Sequence, residues 1–175
     1  GFRAPVFAIN KHTYNQYKLI EEIFAYDSSF FCSSKNDLNR FIDKMKLKKL
    51  KLLPIYSMNL FGKSIRLGGT YLKLFPRIYS HFMSIKSREA GFEPHIYLHP
   101  YEFEIANDFK VKYSDLKRLN KKKAIYWYIR QKQWLNLNNH TTKNKLYSLI
   151  KNDPLKGKLI DLANTLTWSF LLKRI

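Results

Sequence analysis

Two histidines, His95 and His99, are separated by three residues in the segment HIYLHPYEF, residues 95–103. This spacing can build a zinc site when both rings lie on one face of a helix. A proline follows His99 and another precedes His95, and the residue before a proline avoids the helical region. In a strand, positions four apart are ~13 Å apart, whereas each zinc ligand must approach to roughly 2.1 Å. We therefore predict a strand over residues 95–99 whose histidines share no ion.

The composition describes a globular chain. It has 175 residues, about one domain, and 45% of them are hydrophobic. No apolar run reaches the ~18 residues that a membrane-spanning helix needs. The single cysteine, Cys32, cannot form an internal disulfide, and burial as a small packing residue is its usual role.

The formal net charge of +19 favours an anionic partner such as nucleic acid, an anionic membrane or an acidic glycan. The basic residues are mostly lysine, however, and arginine is the better group for reading phosphates and base edges. We therefore predict a largely solvated lysine surface, no specific nucleic acid and at most weak contact with an anionic membrane.

Hydrophobic periodicity predicts alternating strands and helices through residue 105, followed by a helical C-terminal third. Residues 3–9 are expected to be the end of a buried strand that runs into a loop, and residues 25–31 a short strand. The extended segment 50–69 should turn at Gly62-Lys63. The predicted helices are 13–26 with Thr13 as N-cap, 36–49, 70–91 (with Pro76 early in it or splitting it), 111–134, 141–150 and 159–172. This order is typical of an α/β fold with a parallel sheet.

Four segments of the chain occur in the order seen in one enzyme family. They are GFRAP at residues 1–5, YDSS at 26–29, GGTYLKLFP at 68–76 and YLHPYEF at 97–103. Together they resemble NodB-like polysaccharide deacetylases, most closely the subgroup found beside bacterial exopolysaccharide genes. In that subgroup a tryptophan usually stands where this chain has Tyr101. The resemblance covers residues 1 to about 165.

The resemblance implies the C-terminal half of a distorted (β/α) barrel with a helical C-terminal tail. Residues 1–106 would form the barrel part, and residues 107–175 a helical extension packed on the same domain. Family members hold a divalent metal, such as zinc, with an Asp and a His-x-x-x-His pair that precede the Arg-x-Pro motif. This chain starts at that motif, so we expect a partial, bacterial deacetylase that binds no metal and is inactive alone, in the cytoplasm or at the membrane periphery.

The resemblance also implies roles for individual residues in hydrolysis of the carbon–nitrogen bond of an N-acetyl group. His99 would protonate the departing amine, Arg3 would orient the catalytic carboxylate, and Asp27 would pair with the histidine. We expect these three side chains to converge on one cleft at the C-terminal ends of parallel strands. A purely structural role is the alternative for each. The residues expected to contact an N-acetylated polysaccharide or lipid-linked glycan are Pro5, Gly68, Gly69, Tyr101 and Glu102.

Two other functions remain open on the sequence. The first is a basic module that binds a glycan or single-stranded nucleic acid through lysines and some of the 28 aromatic residues. The second is a non-catalytic remnant of a deacetylase. An Asp-Asp pair and a His-x-x-x-His motif in the upstream reading frame would favour the enzyme over the remnant.

Overall fold

The computed structural model describes residues 1–7, 9, 15–103, 105, 110–152 and 157–165. The helices are α1 (Tyr17–Ile23), α2 (Lys35–Met45), α3 (Gly69–Leu74), α4 (Arg77–Glu89), α5 (Tyr113–Leu119), α6 (Ala124–Leu135), α7 (Asn139–Asn152) and α8 (Leu159–Thr165). The strands are β1 (Tyr26–Asp27), β2 (Phe31–Cys32), β3 (Lys51–Leu52), β4 (Ile55–Leu60) and β5 (Lys63–Arg66). Two short 3₁₀ turns cover Pro5–Phe7 and Pro100–Glu102.

The chain divides into two compact units. Unit 1 contains residues 1–66, 85–95 and 155–175, and unit 2 contains residues 67–84 and 96–154. In unit 1, β1 pairs with β3 and β2 pairs with β4, both in parallel, while β4 and β5 form an antiparallel hairpin. The mixed α/β class is therefore confirmed. The described strands form sheets of two and three strands that do not close into a barrel, so the barrel stays a prediction.

Local sequence signals explain the elements of unit 1. The Ser34 hydroxyl accepts the Asp37 N–H at 3.2 Å and starts α2, and Lys46 ends that helix in the left-handed conformation. The hairpin turns at Phe61 and Gly62, which both have positive φ, as a tight two-residue turn requires. The expected turn at Gly62-Lys63 is thus displaced by one residue. The apolar face of α2 joins a buried core whose other members are Tyr17, Cys32, Leu47, Leu50, Leu52 and Phe92.

At the strand end and loop expected over residues 3–9, strand pairing among the described residues is confined to Phe2. Phe2 makes a single parallel bridge to Asp27, and the chain then enters the 3₁₀ turn at Pro5. Proline cannot donate to a strand ladder, which explains why the pairing stops there.

Pro76 and Asn120 interrupt two of the expected helices. The expected helix over residues 70–91 is two helices, because α3 ends at Leu74 and α4 begins after Pro76. The expected helix over residues 111–134 is also split, because Asn120 is extended and its Oδ1 accepts the Lys123 N–H at 3.1 Å just before α6 begins.

The strand predicted over residues 95–99 is wrong in extent. Only Tyr97 pairs, through an isolated parallel bridge to Gly68, and its neighbours in residues 95–99 belong to no strand ladder. A single bridge forms because the neighbouring Gly68-Gly69 segment turns at once into α3. The predicted N-cap Thr13 and the end of the last predicted helix, residues 166–172, lie outside the described residues. Within the described chain, no helix is long and apolar enough to cross a membrane.

Candidate functional site

Asp27 is the buried acid of unit 1. It ends β1, has no exposed surface, and accepts hydrogen bonds at its two carboxylate oxygens. The Tyr17 hydroxyl donates to Oδ2 at 2.9 Å, and the Ser29 N–H donates to Oδ1 at 3.1 Å, with the Ser29 hydroxyl also on Oδ1. Burial raises the pKa of Asp27 above its ordinary value, although the bonds from Ser29 and Tyr17 and the charge of Arg3 act in the opposite direction.

Arg3 lies beside this acid on an exposed segment. Its Nε donates to the Ser28 hydroxyl at 3.0 Å, and its guanidinium carbon lies 5.6 Å from the centre of the Phe7 ring. The next residue, Ala4, donates its N–H to the Ser29 hydroxyl at 2.6 Å. Residues 2–4 are therefore fixed to the polar end of β1, and Pro5 follows as the first residue of the 3₁₀ turn.

His95 is a histidine of unit 1 that the sequence reasoning considered only as a zinc ligand. Its pKa is lowered to about 4, first by burial and then by the positive charge of Arg3, against a backbone hydrogen bond with Glu93 that raises it. The residue as a whole is only partly buried, yet its Nε2 is shielded from solvent and has no hydrogen-bond partner among the described residues. His95 is therefore a neutral imidazole at physiological pH, in the electrostatic field of Arg3.

His99 belongs to unit 2, where it is exposed and extended, with φ −105° and ψ 144°, immediately before the 3₁₀ turn. Its backbone is held at both ends. The His99 N–H donates to Glu102 Oε2 at 3.1 Å, and the His99 carbonyl accepts the Glu102 N–H at 2.9 Å. The imidazole stacks on the Tyr101 ring with centres 4.9 Å apart and planes 8° apart, and it meets Tyr97 edge-on at 6.1 Å.

The two glycines of the GGTYLKLFP segment hold the chain that leads to His99. Gly68 has φ 107°, and a Cβ added there would lie 2.4 Å from the Tyr97 carbonyl oxygen. Gly69 donates its N–H to the same carbonyl at 2.9 Å, and a Cβ on it would lie 2.7 Å from the Tyr97 ring. Gly68 and Gly69 must be glycine because their backbone passes the Tyr97 segment at contact distance.

A buried polar network supports the 3₁₀ turn from behind. Burial raises the pKa of Glu102, against the N–H of His99 and the charges of His99 and Lys73. Burial lowers the pKa of Lys73, against the charge of Glu102. The Lys73 ammonium donates to Asn139 Oδ1 at 3.0 Å and to the Trp134 carbonyl, and Asn139 Nδ2 donates to the Tyr101 carbonyl at 2.8 Å. Side chains of α3 and α7 thereby fix the turn that carries His99.

The expected site residues fall into two groups. Arg3, Pro5 and Asp27 lie in unit 1, while Gly68, Gly69, His99, Tyr101 and Glu102 lie in unit 2. Within each unit, hydrogen bonds and ring contacts connect these residues or their immediate neighbours. Convergence of Arg3, Asp27 and His99 on one cleft stays a prediction.

The sequence reasoning missed Tyr17, Lys73 and Asn139. Their contacts span 10 to 66 residues of sequence, and no local signal marks them. The bond between Glu102 and the backbone of His99 is different, because an acid three residues after an extended residue is a local capping signal.

Metal ligands are not clustered in the described parts of the chain. No three His, Cys, Asp or Glu side chains there lie close enough together to hold a metal ion. The Cys32 thiol is buried, and burial, followed by the charge of Asp37, raises its pKa to about 12. Cys32 is therefore a protonated packing residue at neutral pH.

The comparisons with known proteins give one match. The profile of a protein family described as a domain of unknown function (DUF3473) matches residues 23–156, well over half of the chain. No curated protein and no solved structure matches the chain significantly. The chain therefore belongs to the DUF3473 family.

Proposed function

We propose that this chain carries the acid–base part of a carbohydrate de-N-acetylase, with His99 as the group that protonates the departing amine. The observation that carries the proposal is an exposed imidazole on a backbone that a buried carboxylate fixes. The family match supports it, since residues 23–156 include three of the four segments that resemble NodB-like deacetylases, and DUF3473 domains are associated with such proteins.

The chemistry explains why an exposed, oriented histidine suits this role. When an amide is cleaved, the amine is a poor leaving group unless its nitrogen is protonated as the carbon–nitrogen bond breaks. Imidazole titrates near neutral pH, so it can deliver a proton and recover it in each cycle. Stacking on Tyr101 and edge contact with Tyr97 restrict the ring of His99, which reduces the entropy lost in reaching a reactive geometry.

Glu102 acts, in this proposal, through His99 and not on the sugar. Its side chain is only 1% exposed, and its carboxylate is already engaged by the His99 N–H. Lys73 supplies a nearby positive charge that favours the ionised carboxylate. Gly68 and Gly69 are positioning residues in the same sense, because they hold Tyr97 two residues before the histidine.

The deacetylase resemblance also implies a divalent metal, and the donors of the described residues do not fit one. The proposed contribution of this chain is therefore confined to the proton at His99 and to the framework that orients its ring.

The test measures acetate release from an N-acetylglucosamine hexamer and from an N-acetylated polysaccharide, by the protein expressed from its complete natural reading frame with zinc in the buffer. We expect acetate release by the unsubstituted protein. His99→Ala should lower kcat by about 100-fold or more, the usual contribution of a positioned general acid. His140→Ala is the matched control, since His140 is exposed on α7, and it should leave kcat unchanged.

Two outcomes would overturn the proposal. One is a His99→Ala variant that keeps more than half of the activity while melting at the same temperature as the unsubstituted protein. The other is an unsubstituted protein that binds the hexamer, as seen by calorimetry, yet releases no acetate, which would favour a glycan-binding module.

A further inference from the structure

The hairpin formed by α5 and α6, residues 110–135, lies on the surface of unit 2. All of its residues are described, and Ala124 alone among them is buried. The α5 helix therefore has no apolar face that packs into a core, unlike α2 in unit 1. Apolar residues gathered on the surface of such a helix pair mark a candidate contact surface.

The first arm of this hairpin and the connection to α6 concentrate positive charge. Residues 110–123, KVKYSDLKRLNKKK, contain seven basic side chains and a single acidic one, Asp115. Residues 121–123 are three consecutive exposed lysines between the two helices. No stretch of this length in the rest of the 175-residue sequence, outside residues 110–123, has such an excess of basic over acidic residues.

Large apolar side chains flank these lysines. Leu119, the last residue of α5, is 83% exposed, and Ile125, in the first turn of α6, is 62% exposed. Further along α6 the exposed apolar and aromatic residues are Tyr126, Trp127 and Ile129. Ile125 and Ile129 are four residues apart and therefore lie on the same side of the helix.

We propose that the α5–α6 hairpin docks on an anionic lipid surface, with Leu119 and Ile125 entering the interface and the lysines on the headgroups. Clustered lysines are attracted by anionic headgroups, and their long stems let the charges stay in water while apolar neighbours go deeper. Trp and Tyr favour the level of the headgroups. The proposal does not depend on the deacetylase activity.

Nucleic acid is the alternative partner for the basic surface of the hairpin, but the exposed apolar residues favour a lipid surface. Nucleic acid would gain from lysine and from stacking on Tyr126 or Trp127. It offers nothing to the two most exposed aliphatic side chains of the hairpin, Leu119 and Ile125, whereas the acyl boundary of a bilayer does.

The test is co-sedimentation of the 175-residue chain with vesicles of phosphatidylcholine alone and of phosphatidylcholine with roughly 30% phosphatidylglycerol, at low and high salt. Binding should need the anionic lipid and weaken with salt. The variant K121E/K122E/K123E should lose roughly 100-fold in partition coefficient, from three lysine attractions near the surface. The control K63E/K143E/K151E changes the net charge equally at exposed lysines outside the hairpin and should lose about 3-fold at most, since the proposal assigns the contact to the hairpin alone.

The variant L119S/I125S distinguishes binding to lipid from binding to nucleic acid. Both side chains are exposed, so the fold should be unchanged, as circular dichroism will verify. Vesicle binding should fall at unchanged charge, by roughly 10-fold or more for two aliphatic side chains. Equal losses in the two lysine variants, or binding to neutral and anionic vesicles alike, would refute the proposal. So would anisotropy titrations in which a DNA duplex of about 30 base pairs binds through Lys121–Lys123 while vesicles do not pellet the chain.

Discussion

Replacing Glu21 by glutamine should lower the free energy of unfolding of unit 1 by about 3 kcal/mol at neutral pH. Glu21 lies on α1, four residues after Tyr17, the residue that donates to Asp27. Its Oε1 accepts three consecutive backbone N–H groups, from Lys48, Lys49 and Leu50, at 2.5, 2.7 and 3.2 Å. One carboxylate thus ties α1 to the segment that enters β3.

The magnitude follows from the pKa of Glu21. Burial raises that pKa, but the three N–H groups and Lys18 outweigh burial and lower the pKa from 4.5 to about 2. A difference of that size between the folded and unfolded chain corresponds to ~3 kcal/mol at about 1.36 kcal/mol per unit. The Glu21 side chain is only 9% exposed, so solvent screens these bonds little. Glutamine resembles the protonated acid and should lose most of this stabilisation.

The dependence on pH has a definite sign. Since the folded pKa lies below the ordinary value, the stabilisation is fully present above pH 4.5 and is lost as the pH falls towards 2. Asp27 contributes with the opposite sign, because burial raises its pKa, but it does so in both proteins. The difference between the unsubstituted protein and the Glu21→Gln variant therefore isolates Glu21.

The assay is urea unfolding followed by circular dichroism at neutral pH, at about pH 4 and at about pH 2.5, with Glu22→Gln as the control. Glu22 is the exposed neighbour on the same helix, and its variant should unfold like the unsubstituted protein at every pH. Hydrogen exchange of the Lys49 amide gives a local readout and should accelerate in the Glu21 variant. If the two variants lose equal stability, or if the loss for Glu21→Gln does not shrink between the two acidic conditions, the reasoning is wrong.

Two further predictions concern the glycine and lysine contacts of the chain. Gly68→Ala should destabilise the protein by roughly 3 kcal/mol, since its Cβ would overlap the Tyr97 carbonyl at a positive φ. Gly62→Ala has open space around its Cβ and should cost only about 1 kcal/mol of backbone strain. Thermal melting compares the two variants, and equal losses of stability would contradict the close approach of Gly68 to Tyr97. Lys145→Met should cost about 2 kcal/mol, because its ammonium donates to three backbone carbonyls around the C-terminal end of α3 at 2.8 to 3.1 Å and those carbonyls would lose a charged donor. Lys143→Met, an exposed position on the same helix, should unfold at the same urea concentration as the unsubstituted protein, and a Lys145 variant that does likewise would show that water replaces the ammonium.

Helices were the part of the fold most accessible from sequence. The apolar spacing of residues 36–49 predicted α2 because its buried face repeats with the helical period. Helix ends were harder to predict, since Pro76 and residues 120–123 interrupt otherwise periodic segments. The strand expected over residues 95–99 failed for a different reason. Its composition suits a strand, but a strand also needs a partner, and the structure offers that segment only the Gly68 backbone.

The candidate site was predictable where its chemistry is local. His99 could be found from the segment around it, and so could its link to Glu102, three residues later. The support of that turn by Lys73 and Asn139 could not, because a lysine in an amphipathic segment predicts exposure and not complete burial. Such contacts are set by how α3 and α7 pack, which no spacing rule along one element reveals.

The bridge between Gly68 and Tyr97 has a consequence for recombination between family members. The contact uses the backbone of Tyr97 and the absence of a side chain at Gly68, so it is indifferent to most of the residues in between. A chimaera that takes residues 70–96 from a relative should still hold the segment that leads to His99, provided that both glycines come with the recipient and that the relative has a lysine in the place of Lys73, which supports the turn. A crossover placed between Gly68 and Gly69 would instead depend on the donor sequence supplying the second glycine. Residues 70–96, between the two glycines and Tyr97, are therefore a natural segment for exchange between family members.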